Sequence, residues 1–265
     1  MTMYFSLSHN SFATRGFAYI EEIKTGGDYR SRSWCCHVCR SWHDDMDTYF
    51  NKKTRAALAK TKAKKWPDII GSGYASWFRI VSKRTLDACE SEGLGTFPCF
   101  PVQIQPPYPA TLQEEPPEYF RLDYQNMIGC ELDYEASGYL DTQICSNCGS
   151  FTFDWDKMLV SHFEKIRPYV LKADSWNGKD IFCPKEIPTM MFCTDKFVDC
   201  AQKYQLSNFH FCPFEIGSGT AFKGVNYLKK NWRSELSCQI DKYTKNFQKE
   251  ALLYAHEKEA SETKP

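Results

Sequence analysis

The chain has 265 residues, room for one large domain or two of about 130, and it can bury enough surface to fold without disulfide staples. Lysine plus arginine and aspartate plus glutamate both total 33, so the surplus positive charge that phosphate backbones or anionic lipid require is missing, and neither nucleic acid nor membrane is expected as a partner. Thirteen cysteines in a chain whose N-terminus lacks a signal pattern point to thiols or metal ligands rather than a disulfide framework, and an aromatic content of 15% points to a packed globule.

The opening segment, MTMYFSLSHNSFATRGFAYI, has no basic stretch leading into an apolar run, and 18 consecutive apolar residues occur nowhere. A cytoplasmic protein is expected. Tyr4-Phe5-x-Leu7 is followed by Cys36-x-x-Cys39-x-Ser41-Trp42, and residues 51–65 (NKKTRAALAKTKAKK) read as a basic helix with a solvated face. Trp77 to Val81 suits a buried strand, and Ser82 then stands where a side-chain oxygen can cap a helix. That short helix turns Leu86 and Cys89 inward and ends near Gly93, after which Phe97 to Ile104 reads as a strand. Seven of the thirteen prolines fall between residues 98 and 117, a composition that resists helix and marks a boundary.

Beyond that boundary the same order returns. Tyr119-Phe120-x-Leu122 precedes Cys145-x-x-Cys148-Gly149-Ser150-Phe151, and Asp154 to Leu171 carries apolar residues at helical spacing. Met190 to Cys193 reads as a strand, Thr194 as a cap, the next turns as a helix with Val198 and Ala201 inward, and Phe209 to Ile216 as a strand. After residue 218 the chain looks helical and polar, with a frayed tail.

Shifting the sequence by 112 aligns 68–104 with 180–216 without a gap and with seven identities: Asp68/Asp180, Ile69/Ile181, Asp87/Asp199, Leu94/Leu206, Phe97/Phe209, Pro101/Pro213 and Ile104/Ile216. The cysteine motifs match at an offset of 109 and the Tyr-Phe-x-Leu motifs at 115. The expectation is an α+β fold of two diverged strand-helix-strand repeats packed around a shared zinc site. The first repeat would span residues 1–110, the second 111–218, and a helical extension 219–265.

A Cys-x-x-Cys pair puts two thiols on one tight turn, and two pairs complete a tetrahedral four-sulfur zinc site. The expected ligands are Cys36, Cys39, Cys145 and Cys148, holding one structural Zn2+ between the halves although 105 residues separate Cys39 from Cys145. Buried thiols and a redox couple are the alternatives, the latter opposed by the turn-like and strand-like residues that follow each motif. Cys35 and His37 are left out of the ligand set, His37 because it would point away from a metal held by its neighbours. Cys89, Cys99, Cys130, Cys183, Cys193, Cys200, Cys212 and Cys238 are read as core.

No catalytic set is apparent. Nothing in the sequence pairs a cysteine with His9, His43, His162, His210 or His256, and His43-Asp44-Asp45 reads equally as an acid/base cluster or a polar loop. Gly71-Ser72-Gly73 and Gly217-Ser218-Gly219 lack the setting of a phosphate loop and are read as turns.

Cys36-His-Val-Cys39-Arg-Ser-Trp42, Cys145-Ser-Asn-Cys148-Gly149 and the block from Gly178-Lys-Asp-Ile-Phe182 through Phe192-Cys-Thr-Asp-Lys-Phe197 to Leu206-Ser-Asn-Phe209 resemble the bacterial double-CxxCG family. That family is associated with immunity proteins of contact-delivered and polymorphic toxins. The resemblance covers most of residues 30–217 and implies a non-enzymatic, zinc-stabilised protein whose partner is a cognate toxin. A thiol-disulfide redox protein and a zinc-stabilised adaptor are the other functions kept open. Arg40 departs from the pattern by standing where glycine should follow the first pair, so a different turn is expected there. Glu114-Glu115 and the acidic run Glu131 to Glu135 are candidate contacts for a basic toxin.

Overall fold

Short strands build most of this mixed α+β structure, some alternating in burial, as in Thr54–Leu58, and others buried at every position, as in Ile181–Pro184 and Met191–Thr194. The computed structural model describes residues 3–9, 16–25, 34–40, 42–43, 54–59, 62–72, 79–134, 136–137, 143–148, 151–152, 170–186, 190–214, 227–238 and 241. In the first half β1 spans Tyr4–His9, β2 Tyr19–Thr25, β3 Trp34–Cys35, β4 Trp42–His43, β5 Thr54–Leu58, β6 Ile69–Ser72 and β7 Ile80–Ser82. Helix α1 (Lys83–Ser91) and β8 (Cys99–Gln105) follow. In the second half β9 spans Tyr119–Leu122, β10 Ile128–Cys130, β11 Gln143–Ile144, β12 Phe151–Thr152, β13 Ile181–Pro184 and β14 Met191–Thr194, then α2 (Asp195–Lys203) and β15 (Phe209–Phe214).

Six strands close a barrel in the order β2-β5-β8-β9-β7-β6. Ile20, Ala56, Ile70, Ile80, Val102, Ile104 and Tyr119 form its buried cluster, and the Tyr119 hydroxyl donates to the Pro67 carbonyl at 2.6 Å. The helix expected over 51–65 is not formed, since Thr54–Leu58 is a strand paired antiparallel to β2 and parallel to β8. Thr54, Ala56 and Leu58 are buried at every second position, and pairing on both edges overrides the helical preference of this Ala- and Lys-rich stretch.

A five-stranded sheet has the order β10-β13-β14-β1-β15. Each of the two sheets takes one strand from the other half of the chain. β1 lies between β14 and β15, with Tyr4 opposite Thr194 and Phe214. β9 lies between β7 and β8, with Tyr119 opposite Ser82 and Val102. The neighbouring ladders match as well: Ile69 faces Val81 as Ile181 faces Cys193, and the parallel pair Tyr19 and Gly71 has its counterpart in Ile128 and Cys183.

Both helices begin where the sequence predicts. Ser82 caps α1 by accepting from the Thr85 N–H at 3.3 Å, and Gly93, with φ at 69°, follows the last turn. Thr194 occupies the matching position of α2, but its hydroxyl donates to Asp180 Oδ1 at 2.7 Å instead of capping. Helix α1 packs on α2, and the main core beneath them joins residues of both halves, among them Phe5, Val81, Cys89, Leu122, Phe197, Phe211 and Trp232. Asp68 adds a polar link between the halves, accepting from the Ser207 backbone N–H at 2.8 Å and from its hydroxyl at 3.0 Å.

Of the eight cysteines read as core, Cys89, Cys130, Cys183, Cys193 and Cys200 are buried, while Cys99 and Cys212 are half-buried. Cys238 is a correction, because it is exposed. Residues 232–238 are helical with Trp232 and Leu236 turned inward, which leaves position 238 on the outer face. Of the helix read over Asp154 to Leu171, residues 154–169 lie outside the described residues, and its end is corrected, since Leu171 forms a β-bridge with Leu132; the last residues of the tail, 242–265, also lie outside them. Among the described residues no helix is long and apolar enough to cross a membrane.

Candidate metal centre

Each Cys-x-x-Cys motif sits on a turn between two two-residue strands. Trp34 and Cys35 of β3 pair with His43 and Trp42 of β4, and Gln143 and Ile144 of β11 pair with Thr152 and Phe151 of β12. A strand therefore follows each motif, as expected, rather than a helix.

The Arg40 N–H donates to the Cys36 carbonyl at 2.9 Å and closes the first turn. Arg40 has φ at 62°, so the expectation of a different turn is corrected: the left-handed backbone is adopted and arginine carries its strain. The Arg40 N–H bond to Cys36 closes the turn, and the positive φ then directs the chain out of it toward β4.

The two turns meet through equivalent cysteines. Cys36 Sγ lies 3.8 Å from Cys145 Sγ and Cys39 Sγ lies 3.5 Å from Cys148 Sγ. All four sulfurs fall within 4.8 Å of one another. A tetrahedron with metal–sulfur bonds of about 2.3 Å places its sulfurs roughly 3.8 Å apart, so this cluster has the size needed to hold one ion. Cys36 and Cys145 are buried and Cys39 and Cys148 half-buried, which limits water's access to such an ion.

Cys36 is prepared as an anion. The Cys39 backbone N–H is the largest influence, and together with the Asn147 amide, the Val38 N–H and Cys148 it outweighs burial and brings the thiol from 9.0 down to about 5. Asn147 Nδ2 donates to Cys36 Sγ at 3.4 Å, a role that sequence reasoning missed. Its counterpart at an offset of 109 is Val38, an exposed aliphatic side chain, so only one side of the centre has this amide.

Cys35 and His37 are exposed and stand outside the cluster. The Cys35 thiol donates to the Arg40 carbonyl at 3.4 Å. Of the proposed acid/base cluster, Asp44 and Asp45 lie outside the described residues. Gly71 and Ser72 end β6 rather than forming a turn, because their backbone pairs with β2. The structure does pair one cysteine with a histidine: Cys212 Sγ lies 3.6 Å from His210 Nδ1, two residues apart on β15. Burial raises the Cys212 thiol, the wrong direction for a nucleophile. Burial also pushes Cys130 and Cys183 up to about 12, as inert core thiols require.

Among protein-family models none matches the chain, and none of the curated proteins matches it.

Proposed function

We propose that the chain is a non-enzymatic protein-binding module made of two diverged copies of one unit, tied together by a single structural zinc, and that it acts as an immunity protein neutralising a cognate bacterial toxin. The observation that carries the metal part is the meeting of the Cys36, Cys39, Cys145 and Cys148 sulfurs within 4.8 Å of one another. Four cysteine sulfurs so close together suit zinc among the common cellular metals. The common origin of the halves is supported by ladders that share their registers under the offsets seen in the sequence. The immunity role is supported by the resemblance of the cysteine motifs and the 178–209 block, and it requires a complementary surface rather than a reacting group.

A thiol-disulfide redox role is the second reading, favoured by the depressed Cys36 thiol. Against it, the sulfurs in contact at 3.8 and 3.5 Å come from different motifs, whereas a redox couple joins the two thiols of one motif.

The test is affinity capture from cells that naturally make the chain, followed by co-expression with the product of the neighbouring gene. Immunity predicts recovery of that product at near-equal stoichiometry, and growth of cells expressing it only when this chain is present. A chain recovered alone, cycling between dithiol and disulfide, would replace immunity with the redox reading.

A further inference from the structure

β1 is bonded along both edges to strands from the far end of the sequence. Tyr4 to Leu7 pair antiparallel with β14, and Tyr4 to His9 pair antiparallel with β15. Alternation decides which side chains are recognised. Phe5 and Leu7 are buried on one face, where Phe5 lies edge-on to Phe211 at 6.3 Å and to Trp232 at 5.7 Å. On the other face Tyr4 stands edge-on to Trp176 at 5.3 Å and to Phe182 at 6.3 Å. The next strand, β2, belongs to the barrel and shares no ladder with β1.

The barrel repeats this arrangement with β9 inserted between β7 and β8. There are thus two slots of one build, and each is filled by a Tyr-Phe-x-Leu strand from the other half of the chain. A slot filled from a distance must select its strand by ladder bonds and by pockets for alternate side chains. Withdrawal of the strand would leave two unpaired edges facing one another across a gap in the sheet.

We propose that the β14–β15 slot is a strand-binding site for an extended peptide with large apolar side chains at alternate positions. The chain's own N-terminal segment is its ligand, held by recognition and not by its covalent connection. A one-residue slip would turn Phe5 and Leu7 out of the core, so the site reads register as well as composition. Neither the metal centre nor the immunity role enters this argument, and the test below leaves both unaffected.

The experiment uses the full-length protein with a protease site introduced between residues 10 and 15. The protein is cut, unfolded in urea and refolded with excess labelled peptide of residues 1–10, or with the same peptide carrying F5D and L7D. The expected result is incorporation of one wild-type peptide per chain, recovery of the parent's thermal transition, and competition by the doubly substituted peptide that is about a hundredfold weaker or worse. Recovery of the parent transition with no N-terminal fragment bound would overturn the proposal. So would equal incorporation of the two peptides, or incorporation of neither.

Discussion

Asp195 donates its backbone N–H to the carbonyl of Met3 at 2.9 Å, so the first residue of α2 is anchored by the lead-in to a strand from the opposite end of the chain. Lys83 at the start of α1 does the same with Glu118 at 2.8 Å, just before β9. Helix starts leave N–H groups without intrahelical partners, and here each exchanged strand satisfies one of them. Strand exchange and helix formation are therefore coupled in both halves.

Asp68 and Asp180 occupy matching positions but have unequal duties. Asp68 is nearly buried and accepts from Ser82 and Arg84, both at 2.9 Å, and from Ser207 across the halves. Asp180 accepts from Thr194 and from the exposed Lys196 at 3.3 Å. Asp68→Ala should cost about 2–4 kcal/mol and Asp180→Ala about 1 kcal/mol in urea unfolding. Equal losses would mean that the bonds to Ser207 carry no net stability.

Gly129 lies against Phe182 in the parallel ladder of β10. A Cβ at position 129 would sit 2.6 Å from Phe182 Cβ, and Phe182 is fully buried and stacked on Phe192 at 6.0 Å. Since neither backbone can yield freely, Gly129→Ala should destabilise by about 1–3 kcal/mol. Thermal denaturation followed by circular dichroism checks this, and an unchanged midpoint would show that the sheet adjusts without cost.

Much of this architecture was legible because it is local. Strand, Ser82 cap, short helix and Gly93 turn are each written within a few residues, and the same order recurs 112 residues later. The four-cysteine cluster was legible because Cys-x-x-Cys spacing places two thiols on one turn at once. Strand exchange was not, since Tyr4-Phe5-x-Leu7 identifies a strand while its neighbours are set by tertiary pairing. β5 was misread because alanine and lysine favour helix and its inward side chains are small. Asn147 gained meaning only once the second turn had been placed against Cys36.

Arg40 offers a test of strain at the first turn. A left-handed backbone costs a non-glycine residue about 1–2 kcal/mol, part of which glycine would return as unfolded-chain entropy. Arg40→Gly should therefore stabilise by about 0.5–1 kcal/mol and slow metal loss to a chelator. Arg40→Ala removes the same charge but keeps the strain, so an equal gain from alanine would assign the effect to charge.

If the four sulfurs hold one zinc, the purified protein should release one ion per chain when a mercurial titrates its thiols. Cys145→Ser together with Cys148→Ser should abolish that release and lower the melting temperature, because binding energy at a structural site is folding energy. A double variant that melts like its parent would remove the metal from the account of stability.

Cys36 predicts how the metal-free protein responds to pH. Its thiol is lowered from 9.0 to about 5, chiefly by the Cys39 N–H, so the folded state binds its proton less readily than the unfolded state. The sign follows: the stabilisation is complete above about pH 9, declines as pH falls through the window between the two values, and is gone below about pH 5. Thiolate absorbance of the chelator-treated protein should retain a Cys36 contribution down to about pH 5. Cys36→Ser should erase that titration, and Asn147→Ala should move it upward by removing one of the hydrogen bonds to the sulfur. A Cys36 thiolate appearing only near pH 9 would mean that the turn does not hold its donors on Cys36 without the ion. Metal binding would then be building the site rather than filling it.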